Sequence, residues 1–501
     1  DRSSAASDVY KRQVMHSWLE HIPVSGVHIE GGGATWQQSD LLSHIAMVEK
    51  ALQARRMPQA PVAILADNAP DWIAIDLATQ NLGLTLIPLP LFFTPAQWMH
   101  VIASSGVQAV YCAQPEVAAQ LGFTRIVGHL GRLTLCEREA VQESAALEGI
   151  QKVTFTSGTT ADPKGVCLST QQQWDVAHAL HGSLASLHIQ RHLSLLPLAV
   201  LLENIAGIYT ALLAGATVIC PPLAEVGLHG ASGFVPEKCL NAIAQHQAES
   251  IILLPQMLQA LVAVASPHDA RIASLKFVAV GGAKTPIGLI EAARRKGFPV
   301  YEGYGLSECS SVVSLNVPGA DRVGSVGKPL ANRSIRIAAD NEIEVGGMSA
   351  ARYLGQAPVH TAWMPTGDIG HIDDDGYLFI DGRKKDILIT GYGRNISPEW
   401  PESVLLGTGA FAQAIVFGDA QPFLIALVVP LAPSIDAATM QSAIDAANRV
   451  LPDYARVRHW LAVAPFSTAS GLSTANGRLR RQLIWQHYQQ QVTPLFEQSG
   501  A

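Results

Sequence analysis

Between Val14 and about Gly382, short apolar or β-branched runs alternate with longer stretches rich in Ala, Leu and Gln, and this alternation restricts the fold more than any other feature. The run Pro61–Leu65, for example, is followed by the helical stretch Trp72–Leu82. Such alternation is typical of mostly parallel sheets whose strands are connected by helices. It predicts a large α/β body of layered sheets and helices.

The pattern changes after Gly382. Phe411–Phe417 and Phe423–Val429 flank a Gly-Asp-Ala-Gln-Pro turn and predict a β-hairpin, and helical stretches follow at about Ile435–Val450 and Arg481–Gln491. We therefore predict an N-terminal domain over residues 14–382 and a smaller, mobile α+β domain over residues 383–501. Residues 1–13 are rich in Ser and Ala and lack apolar periodicity, which predicts a disordered or non-native tail.

Charge and cysteine usage exclude several classes of protein. The chain has 34 basic and 41 acidic side chains, a net charge of −7, whereas binding to nucleic acid requires a basic face. The cysteines are scattered without C-x-x-C spacing, which predicts reduced thiols in a cytoplasmic protein.

The most apolar region, Leu193–Leu223, is interrupted by Glu203 and Asn204, so we predict that it is core and not a transmembrane segment.

The strongest local signal is a Ser/Thr/Gly-rich loop that lies between two β-like runs and ends at Lys164. Polyphosphate binding needs close backbone approach, several hydroxyl or N–H donors and a cation, and this loop supplies all three. It is not a Walker A loop, because its lysine precedes Gly165 and a strand-like run follows. A lone loop of this composition is usually a polar turn, so other motifs decide the interpretation. The predicted phosphate-binding residues are Thr156, Ser157, Gly158, Thr159, Thr160 and Lys164.

This loop resembles the phosphate loop of the acyl-adenylate-forming, or AMP-binding, superfamily, although Ala161 stands where the family usually has glycine. The resemblance covers about Val27 to Gln490 and is greatest to bacterial long-chain fatty acyl-CoA synthetases. Further stretches match the family in order; they are Gly281–Ala283, Tyr301–Glu308, Pro365–Asp368, Asp381–Pro398 and Leu472–Arg481.

The resemblance implies a role for each matching residue. Glu308 and Thr159 would bind Mg²⁺, Lys385 would be the hinge of the mobile domain, and Arg478, Thr159 and Glu308 would be catalytic. The implied adenine and ribose site consists of Gly281, Gly282, Ala283, Glu302, Gly303, Tyr304, Gly305, Asp368 and Arg383. The region implied to receive the acceptor thiol consists of Gly391, Tyr392 and Gly393.

One departure from the family concerns chemistry. Arg478 stands where the family has a lysine that bridges the attacking carboxylate and the α-phosphate. A cation between two anions offsets their repulsion, and arginine keeps the charge. Its side chain is longer and planar, so the exchange is not conservative. The histidine usual after L-P-L-x is also replaced, by Val200.

The resemblance implies that the protein uses ATP and Mg²⁺ to convert a carboxylic acid to acyl-AMP, releases pyrophosphate, and passes the acyl group to a thiol, that of CoA. Apolar or small residues at Glu203–Gly207, Leu253–Met257 and Gly305–Val313 favour a fatty acid. Three alternatives remain open: transfer to the phosphopantetheine of an acyl carrier protein, use of the acyl-AMP in β-lactone formation, and a low-turnover nucleotide-binding protein. A homodimer also remains open.

Overall fold

The computed structural model describes residues 22, 28–138, 147–156, 163–230, 233–347, 352–357, 361–389, 395–474 and 477–497. The strands are β1 (His28–Gly31), β2 (Ala34–Gln37), β3 (Val62–Leu65), β4 (Leu86–Pro88), β5 (Ala109–Cys112), β6 (Arg125–Leu130), β7 (Leu133–Glu137), β8 (Lys152–Thr156), β9 (Lys164–Leu168), β10 (Arg191–Leu193), β11 (Thr217–Ile219), β12 (Leu228–His229), β13 (Gly233–Phe234), β14 (Ser250–Leu253), β15 (Phe277–Val280), β16 (Val300–Tyr304), β17 (Ser314–Leu315), β18 (Lys328–Pro329), β19 (Ser334–Ile337), β20 (Glu342–Gly346), β21 (Arg352–Tyr353), β22 (Trp363–Ile372), β23 (Leu378–Arg383), β24 (Leu388–Ile389), β25 (Asn395–Ile396), β26 (Phe411–Phe417), β27 (Leu424–Pro430) and β28 (Val457–Ala462).

The helices are of three kinds. The α-helices are Gln38–Gln53, Pro70–Asn81, Pro95–Ser105, Pro115–Gln120, Thr170–Leu184, Thr210–Leu213, Pro236–His246, Pro255–Val264, Ile287–Arg295, Glu399–Gly407, Ala437–Val450 and Arg481–Glu497. The 3-10 turns are Ala185–Leu187, Ala270–Ile272, Ser307–Cys309, Lys384–Asp386 and Asp453–Ala455. Leu202–Tyr209 forms a π-helix. None of the described helices combines the length and apolar character that a membrane span requires.

Two large sheets form the N-terminal body and confirm the predicted α/β class. One sheet has the strand order β18-β17-β16-β15-β14-β10-β11-β1-β2, in which the neighbours from β16 to β1 are parallel. The other has the order β21-β9-β8-β4-β3-β5-β7-β6 and is parallel at its centre. Helices connect the parallel strands and cover the sheets, so most residues of the central strands are buried, and most of these are apolar.

The C-terminal domain is separate and smaller. β26 and β27 form the predicted antiparallel hairpin, and β28 adds to it in parallel. The helices Ala437–Val450 and Arg481–Glu497 pack on this sheet through buried residues such as Ile444 and Ile484. The position of the domain boundary stays a prediction.

Two helical segments shape the site described below. Thr170–Leu184 begins with a capping box, in which Ser169 Oγ accepts a hydrogen bond from Gln172 N and Gln172 Oε1 accepts one from Ser169 N. The π-helix Leu202–Tyr209 packs beside it. π-Helical segments are rare and are frequent at functional sites.

Candidate functional site

A cavity of about 700 Å³ opens at the carboxyl ends of the central strands of the nine-stranded sheet. Leu254, Gly281 and Gly305 follow directly after β14, β15 and β16, and all three line the cavity. In open α/β sheets, ligands bind outside the carboxyl ends of parallel strands. The cavity therefore lies where the fold class predicts a binding site.

Glycines keep one wall of this cavity flat. A Cβ atom at Gly281 would lie 3.2 Å from Gly303 O, and one at Gly305 would overlap Ser311 O. Gly282 has a φ of +84°, in the region that favours glycine. Exposed backbone of this kind suits a planar ring. Of the residues predicted to bind adenine and ribose, Gly281, Gly282, Gly303, Tyr304 and Gly305 line the cavity, whereas Ala283 and Glu302 are not among its lining residues. Their role in nucleotide binding stays a prediction.

Asp368 and Arg383 face each other across β22 and β23. Arg383 Nε lies 2.7 Å from Asp368 Oδ1, and Tyr304 donates its hydroxyl proton to Asp368 Oδ2. Burial raises the pKa of Asp368, while Arg383 and the hydrogen bond from Tyr304 lower it. Each oxygen of an ionised carboxylate accepts two hydrogen bonds, so Asp368 keeps capacity for the hydroxyls of a ribose.

Glu308 lies beside the strand that leaves the phosphate loop. Tyr353 donates a hydrogen bond to Glu308 Oε1 over 2.7 Å, and Tyr353 pairs with Val166 of β9. No cluster of three metal-ligating side chains occurs among the described residues. A single carboxylate fits Mg²⁺ that keeps its waters and binds phosphate oxygens, which is how this ion usually binds beside a nucleotide.

Four basic side chains converge near the cavity. Burial lowers the pKa of Lys385, and the nearby Asp386 carboxylate opposes this shift. The positive charges of Arg383, Arg478 and Lys164 lower the pKa further. Arg383 and Arg478 line the cavity itself. Cations that repel one another gain most from a polyanion between them, so the cluster fits a triphosphate.

Arg478 reaches this cluster from the C-terminal domain. Its Nη2 lies 3.3 Å from Gly282 O, and its backbone N–H donates to Thr474 Oγ1 over 3.1 Å. Desolvation by the surrounding protein lowers the pKa of Arg478, with a further contribution from Arg383, although part of the side chain is exposed. The domain arrangement thus puts the guanidinium beside the strand end where the carboxylate and α-phosphate are expected to meet.

Some predicted residues fall outside the described part of the chain. They are Ser157, Gly158, Thr159, Thr160, Gly391, Tyr392 and Gly393, together with the side chain of Thr156. The ends of the phosphate loop are described: Thr156 pairs with Lys164 at the ends of β8 and β9. The predicted loop between two strands is therefore confirmed at both ends, and the roles of its residues stay predictions.

Glu302 is buried on β16 and accepts a hydrogen bond from Thr285 N over 2.9 Å. Burial raises its pKa from 4.5 to about 7, so the folded protein holds a proton that the unfolded chain releases above pH 4.5. Stability from this group is present below pH 4.5 and is lost as the pH rises through about 7. We expect Glu302→Gln to remove this loss, which amounts to about 3 kcal/mol.

Urea unfolding of wild type and Glu302→Gln between pH 5 and 8 measures this effect. The variant should become more stable than wild type as the pH rises. Glu344→Gln is the control, because Glu344 is a partly exposed carboxylate paired with Arg336. An equal pH slope in wild type and Glu302→Gln would contradict the expectation.

The cavity continues along one face of the sheet. Ser250 and Ile252 of β14 and Leu254 directly after it occupy alternate positions and line the cavity, and Ile251 also contributes to the lining. Alternate residues of a strand share one face, so the cavity follows that face for the length of β14. Phe277 and Ala279 on β15 and Gly281 directly after it continue the lining, and Ser250 pairs with Phe277 and Ile252 with Ala279.

The opposite wall of this extension is helical. Leu180 and Leu184 come from Thr170–Leu184, and Ala206 and Gly207 come from the π-helix. The stretches expected from the sequence to line the acyl site include Ala206, Gly207 and Leu254, but they do not include Ser250, Phe277, Leu180 or Leu184. The period-2 and period-3.6 spacing of these residues marks one face of each element, but only the strand register shows that the faces meet.

Two protein-family models match this chain, one over the N-terminal body and one over the C-terminal domain. Residues 27–348 match the family model "AMP-binding enzyme", and residues 385–500 match "AMP-binding enzyme C-terminal domain". The chain is 33% identical over 293 residues to a 2-succinylbenzoate–CoA ligase of Bacillus velezensis, a match that covers 55% of this chain and 57% of that protein. The chain thus spans little more than half the length of this relative.

Two further similarities concern a fatty acid ligase and a solved structure. The chain is 41% identical over 154 residues to the long-chain-fatty-acid–CoA ligase FadD15 of Mycobacterium bovis, covering 30% of this chain and 26% of that one. The structure of o-succinylbenzoate CoA synthetase of Bacillus subtilis with its acyl-adenylate superposes with a TM-score of 0.72 at 23% identity, covering 93% and 97% of the two chains. This likeness shows the fold.

Proposed function

Because the chain belongs to the AMP-binding enzyme family, we propose that it is an AMP-forming acid–thiol ligase that activates a fatty acid with ATP and Mg²⁺ and transfers the acyl group to CoA. The carboxylate attacks the α-phosphorus, which gives acyl-AMP and pyrophosphate. The thiol of CoA then attacks the acyl carbon, which gives the thioester and AMP. In neither step must a protein group act as nucleophile, so the protein contributes binding, orientation and charge.

Each described site residue has a task in this proposal. Asp368 accepts hydrogen bonds from the ribose hydroxyls, and Arg383 holds that carboxylate in place. Glu308 binds Mg²⁺, which neutralises charge on the phosphates when bound. Arg478 stabilises the charge where carboxylate and α-phosphate meet. Lys385 lies in the 3-10 turn Lys384–Asp386, a single turn that suits a hinge for removing Arg478 before the thiol enters.

The observation that carries the choice of a fatty acid is the apolar extension of the cavity along β14 and β15. Four residues of β14 span about 13 Å, a length that takes on the order of ten carbon–carbon bonds. Ile252, Ala279, Leu180 and Leu184 make most of this extension aliphatic, and His192 and Ser250 are polar residues within it. Each methylene transferred into such a lining contributes about 0.8 kcal/mol, so a long chain gains most.

An aryl acid is the second candidate. The relative from Bacillus velezensis is named for 2-succinylbenzoate, whose ring and short side chain need less depth than a long acyl chain. Phe277 and Tyr304 line the cavity and could contact such a ring. The depth of the cavity favours the aliphatic acid, and the names of the relatives favour the aryl acid.

Pyrophosphate release with ATP and Mg²⁺ tests the proposal. Saturated acids from acetate to octadecanoate are compared with 2-succinylbenzoate and phenylacetate, with CoA present and absent. We expect release to depend on the acid and to increase with chain length, and acyl-CoA to form only with CoA. Release that is greatest with an aryl acid would favour the second candidate. No release with any acid, despite ATP binding measured by calorimetry, would support the low-turnover nucleotide-binding protein.

A further inference from the structure

The end of the cavity far from Gly282 carries a buried polar pair, and further polar side chains such as Thr210 and Gln190 also belong to the cavity lining. His192 on β10 and Ser250 on β14 pair directly in register, and both line the cavity. His192 Nδ1 lies 2.9 Å from Ser250 Oγ, and both residues are buried. Activation of the carboxylate takes place at the other end, near Gly282. A plain hydrocarbon tail would leave this polar pair without a ligand partner.

The proton arrangement of the pair follows from Glu203, which is fully buried on the π-helix. Its Oε2 accepts hydrogen bonds from the backbone N–H groups of Leu195 and Leu196 over 3.2 and 3.0 Å. Its Oε1 lies 2.8 Å from His192 Nε2. A carboxylate is an acceptor, so in the neutral ring this contact assigns the proton to Nε2, pointing to Glu203.

This tautomer decides what Ser250 can do. With its proton on Nε2, His192 presents an unprotonated Nδ1, and Ser250 donates its hydroxyl proton to that nitrogen. The Ser250 oxygen is left as an acceptor, and among the described residues no other hydrogen bond reaches it. The Ser250 oxygen can therefore bind a donor, such as a hydroxyl group, and has no proton to offer to a carbonyl group.

The Glu203–His192 pair packs directly against Gly207 of the π-helix. A Cβ atom at Gly207 would overlap Glu203 Oε1 and would lie 2.6 Å from His192 Nε2. Gly207 itself lines the cavity. Glycine at this position of the π-helix leaves room for the pair, which holds His192 in one tautomer at the cavity wall.

We propose that the cavity selects acids that carry a hydroxyl group in mid-chain, and that this hydroxyl donates a hydrogen bond to Ser250 Oγ. The proposal rests on the proposed fatty acid ligase and names its substrate class more narrowly. Because Ser250 lies about 13 Å along β14 from the activating end, the hydroxyl group belongs at about carbons 8 to 12. His192 and Glu203 are positioning residues that hold Ser250 as an acceptor.

The first test compares hexadecanoic acid with its isomers hydroxylated at about carbons 8 to 12. Binding to the intact protein is measured by calorimetry, and turnover by pyrophosphate release. We expect the best hydroxy acid to bind about five- to tenfold more tightly than hexadecanoic acid. In Ser250→Ala this ratio should fall to about one, whereas Ser194→Ala should retain it. Ser194 is the matched control because it is buried on the neighbouring segment and does not line the cavity.

The second test uses Glu203→Gln, which keeps the shape of the side chain. Its amide oxygen can accept the N–H groups of Leu195 and Leu196, and its amide nitrogen then donates to His192 Nε2. That donor moves the ring proton to Nδ1, which donates to Ser250 and leaves the serine proton for a ligand. We expect Glu203→Gln to prefer a mid-chain keto acid to the hydroxy acid by a fewfold. A merely structural role of Glu203 would weaken the binding of both acids alike.

Hexadecanoic acid that binds as well as every hydroxy acid would overturn this inference, as would a hydroxyl preference that persists in Ser250→Ala. Binding does not require turnover, so the two proposals fail separately. Hydroxy acids that bind preferentially without any pyrophosphate release would refute the ligase and support the Ser250 site. Pyrophosphate release that is greatest with unsubstituted acids would support the ligase and refute the Ser250 site.

Discussion

Arg478→Ala is expected to lower acid-dependent pyrophosphate release roughly 100- to 1,000-fold. The side chain lies 3.3 Å from Gly282 O, next to Arg383 and Asp368, at the end of the cavity where two anions must approach each other. At an effective dielectric constant near 20, two like charges about 4 Å apart repel by about 4 kcal/mol. Removing the cation between them therefore raises the barrier of the first step.

The affinity for ATP should change much less than the rate, because Arg383, Asp368 and the phosphate loop remain. Calorimetric titration with ATP separates the two effects. Arg480→Ala is the matched control: it removes the same charge from the same segment, and Arg480 is not a lining residue of the cavity. We expect its rate to stay within about threefold of wild type. A similar rate in Arg478→Ala would show that Arg478 does not act in this step.

Arg478→Lys tests whether charge or shape matters. Lysine carries the same charge as a compact ammonium group, whereas the guanidinium is planar and can bond two anions at once. We expect Arg478→Lys to keep more activity than Arg478→Ala, because the repulsion between carboxylate and α-phosphate is a matter of charge. Loss of activity equal to that of Arg478→Ala would mean that this site requires the planar guanidinium group, which can bond two anions at once.

The sequence predicted the fold class and several individual elements. The alternation of apolar runs and helices predicted the layered body, and Phe411–Phe417 was predicted with its observed bounds. Hydrophobic periodicity is a local property, so it identifies elements well. The cytoplasmic location, the carrier-protein alternative, the homodimer and the domain boundaries stay predictions.

Local periodicity could not reveal how separated segments meet. Ser250 begins an apolar strand, and its place at the cavity wall depends on pairing with His192, which lies 58 residues away in the chain. The stretch Leu193–Leu223 was predicted to be core, but the sequence did not reveal its π-helical segment, in which Glu203 and Asn204 each join a different buried network. Both features are consequences of tertiary contacts, which no window of sequence contains.

Lys152→Met is expected to lower the free energy of unfolding by about 3–5 kcal/mol. Lys152 begins β8 directly before the phosphate loop and is fully buried. Its Nζ lies 3.0 Å from Asp76 Oδ2 and 2.9 Å from Tyr209 Oη, and Asn204 also contacts it. Burial lowers the pKa of Lys152, and Asp76 opposes this shift. The pair joins the loop strand, the helix Pro70–Asn81 and the π-helix in one network.

The expected loss arises from the partner that remains. Methionine fills the volume of the lysine stem, but it leaves the Asp76 carboxylate buried without a compensating charge. Asp76→Asn added to Lys152→Met should therefore recover part of the stability, a result that lost packing alone would not give. Lys384→Met is the surface control, since Lys384 is about half exposed beside Asp340 and Glu342, and it should cost at most about 1 kcal/mol. Urea unfolding of the four proteins measures these differences. If Lys152→Met unfolds at the same urea concentration as Lys384→Met, the buried pair does not stabilise the body, and the strand before the phosphate loop is held by its backbone and apolar contacts.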